Sequence, residues 1–384
     1  MPVPGGTMLT HEEIAEKGSE KMREREAFLD RLRVMATLAV VMLHTATGVM
    51  DATDMSLYPE ENRVFLTAMD LVCWSVPVFL VISGYLFLNP GREIGLGRML
   101  TKYCRRIVLA LVLFGVPYGC LELVAAEGRF RPGMPAEAFV KVLRGESWSH
   151  MWYLYLILIL YLVTPPLKWM LARVPVGAVY GLAVILLSAF SILPYLARIY
   201  GWGDIAAMPD WAIYFFYYIC GYLFAVDGFR LSKGGWKRKS LPVLAVLLAA
   251  GMAVSRIAGN YELRMAYNYP FTLLLSLLLF GWGVSAEKKP RAGQILTGQP
   301  EEGQRQGRGS TGEHPFWERA SELSFTVYLI HPVFLNIAYK FFHVTPLSFA
   351  IGISLPVFFL GTLLLSAAGA WVLRKIAPLR KYVL

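Results

Sequence analysis

Apolar runs of about twenty residues recur along almost the whole chain, and each is long enough for an α-helix to cross a bilayer. Of the 384 residues, 56% are hydrophobic and only 17% are charged. Soluble domains carry about a quarter charged residues, which help them to face water. The sequence therefore predicts an all-α polytopic membrane protein with about ten transmembrane helices.

The predicted spans leave a tail at either end and one long internal loop. They cover residues 33–50, 66–88, 106–126, 151–171, 176–197, 211–229, 241–259, 266–286, 321–342 and 347–372. We expect residues 1–32 to form an N-terminal tail and residues 373–384 a basic C-terminal tail around a membrane domain at 33–372. Residues 287–315 are rich in Gly, Gln and charge, a composition typical of disordered loops.

Lys and Arg are shared unevenly between the segments that separate the spans. If the N-terminus is cytoplasmic, 28 of the 37 Lys and Arg residues lie on the cytoplasmic side and nine on the other side. Cytoplasmic loops of membrane proteins collect these residues, so both termini are predicted to be cytoplasmic. The same distribution explains the net charge of +10 without a nucleic-acid partner.

The first span carries a polar stripe along one side. His44 follows Arg33 by eleven residues, which is close to three helical turns and places the two about 16 Å apart on one face. Asp30, Thr37 and Asp51 project in nearly the same direction. Ionisable residues inside a span are costly and usually mark function, and imidazole suits proton transfer at neutral pH. His44 is therefore a candidate general base, or else a histidine that only bonds to a neighbouring helix.

A second histidine lies in the ninth predicted span, directly before a proline. Pro332 cannot donate to the carbonyl of Tyr328 and disfavours helical geometry at His331, so the sequence predicts a kink with a free carbonyl. Ser324 and Tyr328 lie within two turns before His331. Such a patch is tolerated at membrane depth where it lines a cavity, which makes these residues candidate substrate contacts.

The second and fourth predicted spans supply further candidates with structural alternatives. Ser83-Gly84-Tyr85 forms a small-residue break that either contacts substrate or allows close helix packing, and packing is favoured. His150 and Trp152 open the fourth span among Trp148, Tyr153 and Tyr155. For these aromatic residues an interfacial belt is the favoured interpretation. His150 remains a candidate substrate contact on the outer side.

Five cations follow the second span: Arg92, Arg98, Lys102, Arg105 and Arg106. Positive-inside anchoring explains such a cluster, and so does a binding site for a polyanion such as coenzyme A. The four cysteines show no CxxC spacing, so neither a disulfide framework nor a metal site is expected. The phosphate-binding and hydrolase motifs of soluble enzymes are missing from the sequence.

Five short motifs follow one another along most of the chain. They are Asp30-x-Leu32-Arg33 followed by His44, then 76–87 (VPVFLVISGYLF), 150–155 (HMWYLY) with 160–167 (LYLVTPPL), 219–224 (ICGYLF) and 324–332 (SFTVYLIHP). Together they resemble the acyltransferase 3 family, and the resemblance runs from about residue 28 to residue 372. It is greatest to members without an added hydrolase-like domain outside the membrane.

The resemblance implies transfer of an acyl group, usually acetyl from acetyl-CoA, to hydroxyl groups of carbohydrates such as cell-envelope glycans. It also implies a multi-pass protein of the bacterial inner (plasma) membrane. In the family the first-helix Arg and His are associated with catalysis, which corresponds to Arg33 and His44. An Arg-x-x-Arg motif is associated with donor binding, and here the stretch reads Lys102-Tyr-Cys-Arg105-Arg106.

These observations give one mechanistic hypothesis and two rivals. We expect His44, with Arg33 and Asp30, to catalyse acyl transfer, with Asp51 or another polar group orienting His44. The expected coenzyme A contacts are Arg98, Lys102, Arg105 and Arg106. The expected substrate contacts are His331, Tyr328, Ser324, His150, Trp152, Tyr85 and Ser83.

An acyl-enzyme intermediate fits the sequence as well as direct transfer does. The rival classes are a glycan or lipid transporter (or flippase) lined by the same polar faces, and a catalytically idle membrane module. The identity of the acyl group, the acceptor and the oligomeric state are left open.

Overall fold

The computed structural model describes residues 27–203, 211–227, 236–257, 265–286 and 315–384. Within these ranges every regular element is a helix. Residues 1–26 of the tail predicted at 1–32, and residues 287–314 of the loop predicted at 287–315, lie outside the described residues.

Each of the ten predicted spans coincides with a helix, which confirms the all-α polytopic fold. Six helices are long and apolar enough to cross a membrane: Ala27–Ala52, Pro59–Phe87, Leu96–Glu127, Trp152–Leu171, Val176–Tyr200 and Ile351–Leu373. Three apolar helices are shorter: Ala212–Val226, Pro242–Val254 and Pro270–Val284. The remaining helix, Pro315–Asn336, coincides with the ninth predicted span. It carries Glu318, Arg319 and Glu322 in its first half.

The helices are labelled here in chain order. They are α1 (Ala27–Ala52), α2 (Pro59–Val72), α3 (Ser75–Phe87), α4 (Arg105–Glu127), α5 (Met134–Arg144), α6 (Trp152–Leu171), α7 (Val176–Leu187), α8 (Leu193–Tyr200), α9 (Ala212–Asp227), α10 (Trp236–Ile257), α11 (Pro270–Ala286), α12 (Pro315–Asn336), α13 (Ile351–Leu373) and α14 (Ala377–Tyr382). Short π-helical stretches occur at Met99–Cys104, Ser188–Ile192 and Ile337–Phe341.

Helix α1 lies in the middle of the bundle. It packs against α2, α3, α11, α12 and α13. The stripe predicted on α1 is therefore turned towards protein: Asp30 and Thr37 are buried, and the Thr37 hydroxyl donates to the carbonyl of Arg33 at 2.8 Å. This central position brings the polar groups of α1 together with those of other helices.

Helices α3 and α9 cross closely at two glycines. A Cβ atom on Gly84 would lie 1.9 Å from the carbonyl oxygen of Tyr218, and one on Gly221 would lie 2.4 Å from the carbonyl oxygen of Val81. Only glycine permits backbones to approach this closely. The packing interpretation of the small residues in the second predicted span is therefore confirmed for Gly84.

Helix α5 folds back across α4 and forms one wall of the site. Helix α4 ends at Gly128 in the left-handed region (φ 69°), which reverses the chain. Gly115 and Gly119 of α4 then accept α5 closely, because added Cβ atoms would lie 2.9 Å from Val142 and 2.8 Å from Ala138.

Candidate active site

Two cavities open on opposite ends of α1. The first has a volume of about 490 Å³ and contains four arginines: Arg33, Arg92, Arg106 and Arg374. We call it the basic cavity; Glu322 is the acidic residue among its lining residues. Such a concentration of guanidinium groups suits a ligand with several phosphates.

The second cavity has a volume of about 400 Å³ and lies beyond the C-terminal half of α1. Its charged lining residues are Asp51, Glu122, Lys141, Glu146 and Lys340. We call it the mixed-charge cavity, because its three carboxylates and two ammonium groups leave little net charge. The two cavities therefore differ sharply in electrostatic character.

His44 and His150 line both cavities. Their ring centroids lie 6.1 Å apart in an edge-on arrangement. A ligand in either cavity therefore reaches the same imidazoles. The pair of histidines is the geometric centre of the candidate site. His44 belongs to α1, and His150 lies just before α6.

A chain of hydrogen bonds fixes the tautomer of His44. Nδ1 of His331 lies 3.1 Å from the carbonyl of Val327, which can only accept, so His331 carries its proton on Nδ1. Nε2 of His331 is then an acceptor and lies 2.9 Å from Nδ1 of His44. His44 must donate from Nδ1, which leaves the lone pair of its Nε2 free to accept a proton.

His331 therefore has a different place from the one expected from the sequence. It is fully buried and is not among the residues that line either cavity. It lies behind His44 and forms a hydrogen bond with its Nδ1. Helix α12 continues through Pro332, and the His331 ring bonds to the backbone of both Val327 and Tyr328.

Arg33 reaches the basic cavity, whereas Asp30 does not line it. Asp30 is buried, and its Oδ1 lies 3.1 Å from Nη1 of Arg33 and accepts from the Ser321 hydroxyl at 2.7 Å. Asp30 thus joins α1 to α12 and contacts the Arg33 guanidinium.

The predicted coenzyme A contacts are only partly brought together. Arg106 lines the basic cavity; its Nε donates to the carbonyl of Val383 at 2.7 Å, and its guanidinium lies 4.7 Å from the Phe325 ring centroid. Arg98, Lys102 and Arg105 are exposed and do not line the cavity. The π-helical stretch Met99–Cys104 is one reason, because residues four apart no longer lie above each other there.

Most of the predicted substrate contacts line the basic cavity. Ser83, Trp152, Ser324 and Tyr328 do so, and the Tyr328 hydroxyl donates to the carbonyl of His150. Among the aromatic residues assigned to an interfacial belt, Trp152 and Tyr153 line the basic cavity and Trp148 lines the mixed-charge cavity.

The structure does not bring Tyr85, a predicted substrate contact, to either of these two cavities. Its ring packs against Phe28 and Phe280, with centroids 5.9 Å and 5.5 Å away. Because Gly84 faces α9, the adjacent Tyr85 points towards the apolar core.

Several residues that line the cavities were not predicted. Arg92 belongs to the cation cluster but was not selected, and Arg374 lies in the segment predicted to be a basic C-terminal tail. Glu122 and Lys340 form an ion pair of 2.6 Å at the mixed-charge cavity. In the sequence, the only sign that Glu122 and Lys340 belong to a site is that each lies near the end of an apolar run. The ion pair itself joins residues far apart in the chain, so it could not be predicted.

A family model described as an acyltransferase domain, that of the acyltransferase 3 family, matches residues 26–375. The chain belongs to the acyltransferase 3 family. Comparisons with curated proteins and with solved structures gave no match.

As a family member the chain is a multi-pass membrane acyltransferase, so it has an acyl donor and an acceptor. Membership does not favour the transporter interpretation. Within the described part of this acyltransferase, no group of three or more His, Cys, Asp or Glu side chains could hold a metal ion.

Proposed function

We propose that this acyltransferase moves an acetyl group from acetyl-CoA to a hydroxyl group of a cell-envelope carbohydrate in the bacterial inner membrane, with His44 as general base. The observation that carries the proposal is that His44 lines both cavities. Donor and acceptor can then approach one imidazole from opposite ends of α1.

The charges of the two cavities support the assignment of donor and acceptor. Coenzyme A carries several phosphates, and the basic cavity offers Arg33, Arg92, Arg106 and Arg374. The charge count of the sequence assigns this end of α1 to the cytoplasm, where acetyl-CoA is made. The mixed-charge cavity opens at the other end and has no excess of cations to attract a polyanion.

The chemistry follows from the free lone pair on Nε2 of His44. This nitrogen takes the proton of the acceptor hydroxyl as the oxygen attacks the thioester carbonyl. The C–O bond forms and the C–S bond then breaks, and the imidazolium returns its proton to the departing sulfur. Throughout the reaction, Nε2 of His331 accepts the hydrogen bond from the Nδ1 proton of His44, and this bond stabilises the charged imidazolium.

The function is tested on purified protein in nanodiscs and on cells. We expect the protein to release coenzyme A from acetyl-CoA when acceptor is added, and a deletion strain to lack one O-acetyl ester in its envelope glycans by mass spectrometry. Unchanged glycans together with no coenzyme A release would contradict the proposal. Glycan or lipid flux in proteoliposomes without acetyl-CoA would instead support the transporter.

Two adjacent arginines provide a matched test of the donor site. Arg106→Gln removes a guanidinium that lines the basic cavity, and a charge-assisted hydrogen bond is worth about 1.5–3 kcal/mol. We therefore expect the KM for acetyl-CoA to rise about 10- to 100-fold. Arg105→Gln removes an exposed guanidinium outside the cavity and should leave KM within about twofold, in line with other exposed charges.

Equal effects of the two substitutions on the KM for acetyl-CoA would show that the basic cavity does not bind the donor. Salt titration separates direct contact from general attraction, because the contribution of exposed charges to binding is screened by salt. The difference between the two variants should persist at high ionic strength.

A further inference from the structure

His150 keeps one ring nitrogen without a hydrogen-bond partner. The side chain is 2% exposed, and its Nε2 bonds to no atom of the described chain. The ring also bonds to the backbone carbonyl of Leu329, which can only accept. Because Nε2 has no partner, this bond belongs to Nδ1, which therefore carries the proton. A buried lone pair on Nε2 is thus left unsatisfied where the two cavities meet. Such a group costs free energy unless a ligand supplies a donor.

His44 offers a second free lone pair close to the first. Its Nε2 is unprotonated because its Nδ1 donates to His331, and its ring lies 6.1 Å from that of His150. Both rings form part of the mixed-charge cavity. Two acceptors on one cavity floor need two donors from the ligand, and an alcohol with a single hydroxyl satisfies only one of them.

The walls of the mixed-charge cavity suit a molecule with many hydroxyl groups. Glu122 is held by Lys340 at 2.6 Å and accepts from the indole of Trp148 at 3.1 Å, so this carboxylate is fixed in position. Asp51 and Glu146 add two more carboxylates that accept from hydroxyl groups. Because the carboxylates outnumber the ammonium groups of this cavity by one, a strongly anionic ligand gains no net attraction there.

We propose that the mixed-charge cavity binds its acceptor through two neighbouring hydroxyl groups, the reacting one on Nε2 of His44 and the adjacent one on Nε2 of His150. The acceptor class is then a neutral sugar or polyol with adjacent free hydroxyls. His150 is a specificity-determining residue that contacts the hydroxyl that does not react. This inference rests on the proposed function, since it takes His44 as the base.

The test compares two isomeric probes, cyclohexane-1,2-diol and cyclohexane-1,4-diol, with acetyl-CoA as donor and the full chain in nanodiscs. The probes have the same composition and differ only in whether their hydroxyls are adjacent. One extra hydrogen bond of about 1–1.5 kcal/mol predicts that kcat/KM for the 1,2-isomer exceeds that for the 1,4-isomer about tenfold.

Three variants assign this preference to a residue. His150→Phe keeps a planar ring without the lone pair and should reduce the ratio between the isomers to near one. His150→Gln keeps a side-chain oxygen that accepts and should retain part of the ratio, which also covers the case in which the Phe variant does not fold. His343→Asn replaces an exposed histidine at positive φ (53°), which Asn tolerates, and should leave the ratio unchanged.

The outcomes separate the two proposals. Acetyl-CoA turnover with equal use of both isomers, or a preference that survives in both His150 variants, overturns the diol-binding site alone. Turnover without transfer to either probe also overturns it. No acetyl-CoA turnover by the wild-type protein, with any hydroxyl acceptor, contradicts the proposed function instead.

Discussion

His44→Gln is expected to lower kcat for acyl transfer about 10²- to 10⁴-fold, the range typical of losing a general base. The Gln side chain is polar and of similar length, but it cannot take a proton from the acceptor hydroxyl. His44 lines both cavities, and the hydrogen bond from its Nδ1 to His331 leaves its Nε2 unprotonated for this task. Coenzyme A release, followed with a thiol reagent at saturating acetyl-CoA, measures the effect.

His343→Asn is the matched control for this loss. His343 is exposed in the turn after α12, and its replacement should leave kcat unchanged. Both variants should elute from size-exclusion chromatography like the wild-type protein. A wild-type kcat for His44→Gln would show that His44 is not the general base, whatever the result for the control variant.

Gly84→Ala is expected to destabilise the fold by about 3 kcal/mol or more, at the upper end of the cost of overpacking a core. The added Cβ would lie 1.9 Å from a backbone carbonyl oxygen of α9, and a backbone cannot move aside as a flexible side chain can. Helices α3 and α9 would have to separate, which would also disturb Ser83 at the basic cavity. Thermal unfolding in detergent, followed by the accessibility of the buried cysteines, measures the loss.

Gly181→Ala gives the matched control in α7. An added Cβ there meets no atom within 4 Å, and Ala is the better helix former by about 1 kcal/mol. We expect this variant to unfold at the wild-type temperature or slightly above it. A similar melting temperature for both alanine variants would show that the α3–α9 crossing tolerates a wider spacing.

The spans and the central helix were predictable because their signals are local. A run of apolar residues shows a span by itself, and the eleven residues between Arg33 and His44 fix a shared face through helical periodicity alone. Both residues line a cavity in the structure. The close packing at Gly84 was likewise suggested by the small residues of one segment.

The composition of the site was less predictable because it depends on distant segments. The four arginines of the basic cavity come from α1, the turn after α3, α4 and the segment after α13. The contact between His44 and His331 joins residues 287 positions apart. A single sequence identified both histidines but carried no signal that they bond to each other, and the π-helical stretch before α4 changed which cations face inward.

The straight run of α1 from Arg33 to His44 also sets a length scale. A hydrogen-bonded helix does not stretch, so the separation of about 16 Å between these residues is constant whatever the loops do. On the proposed function, the donor's phosphates are held at one end of this interval and the ester bond forms at the other, so its length sets the reach that a donor needs. A donor whose arm is too short cannot place its carbonyl at the imidazole, however reactive its sulfur.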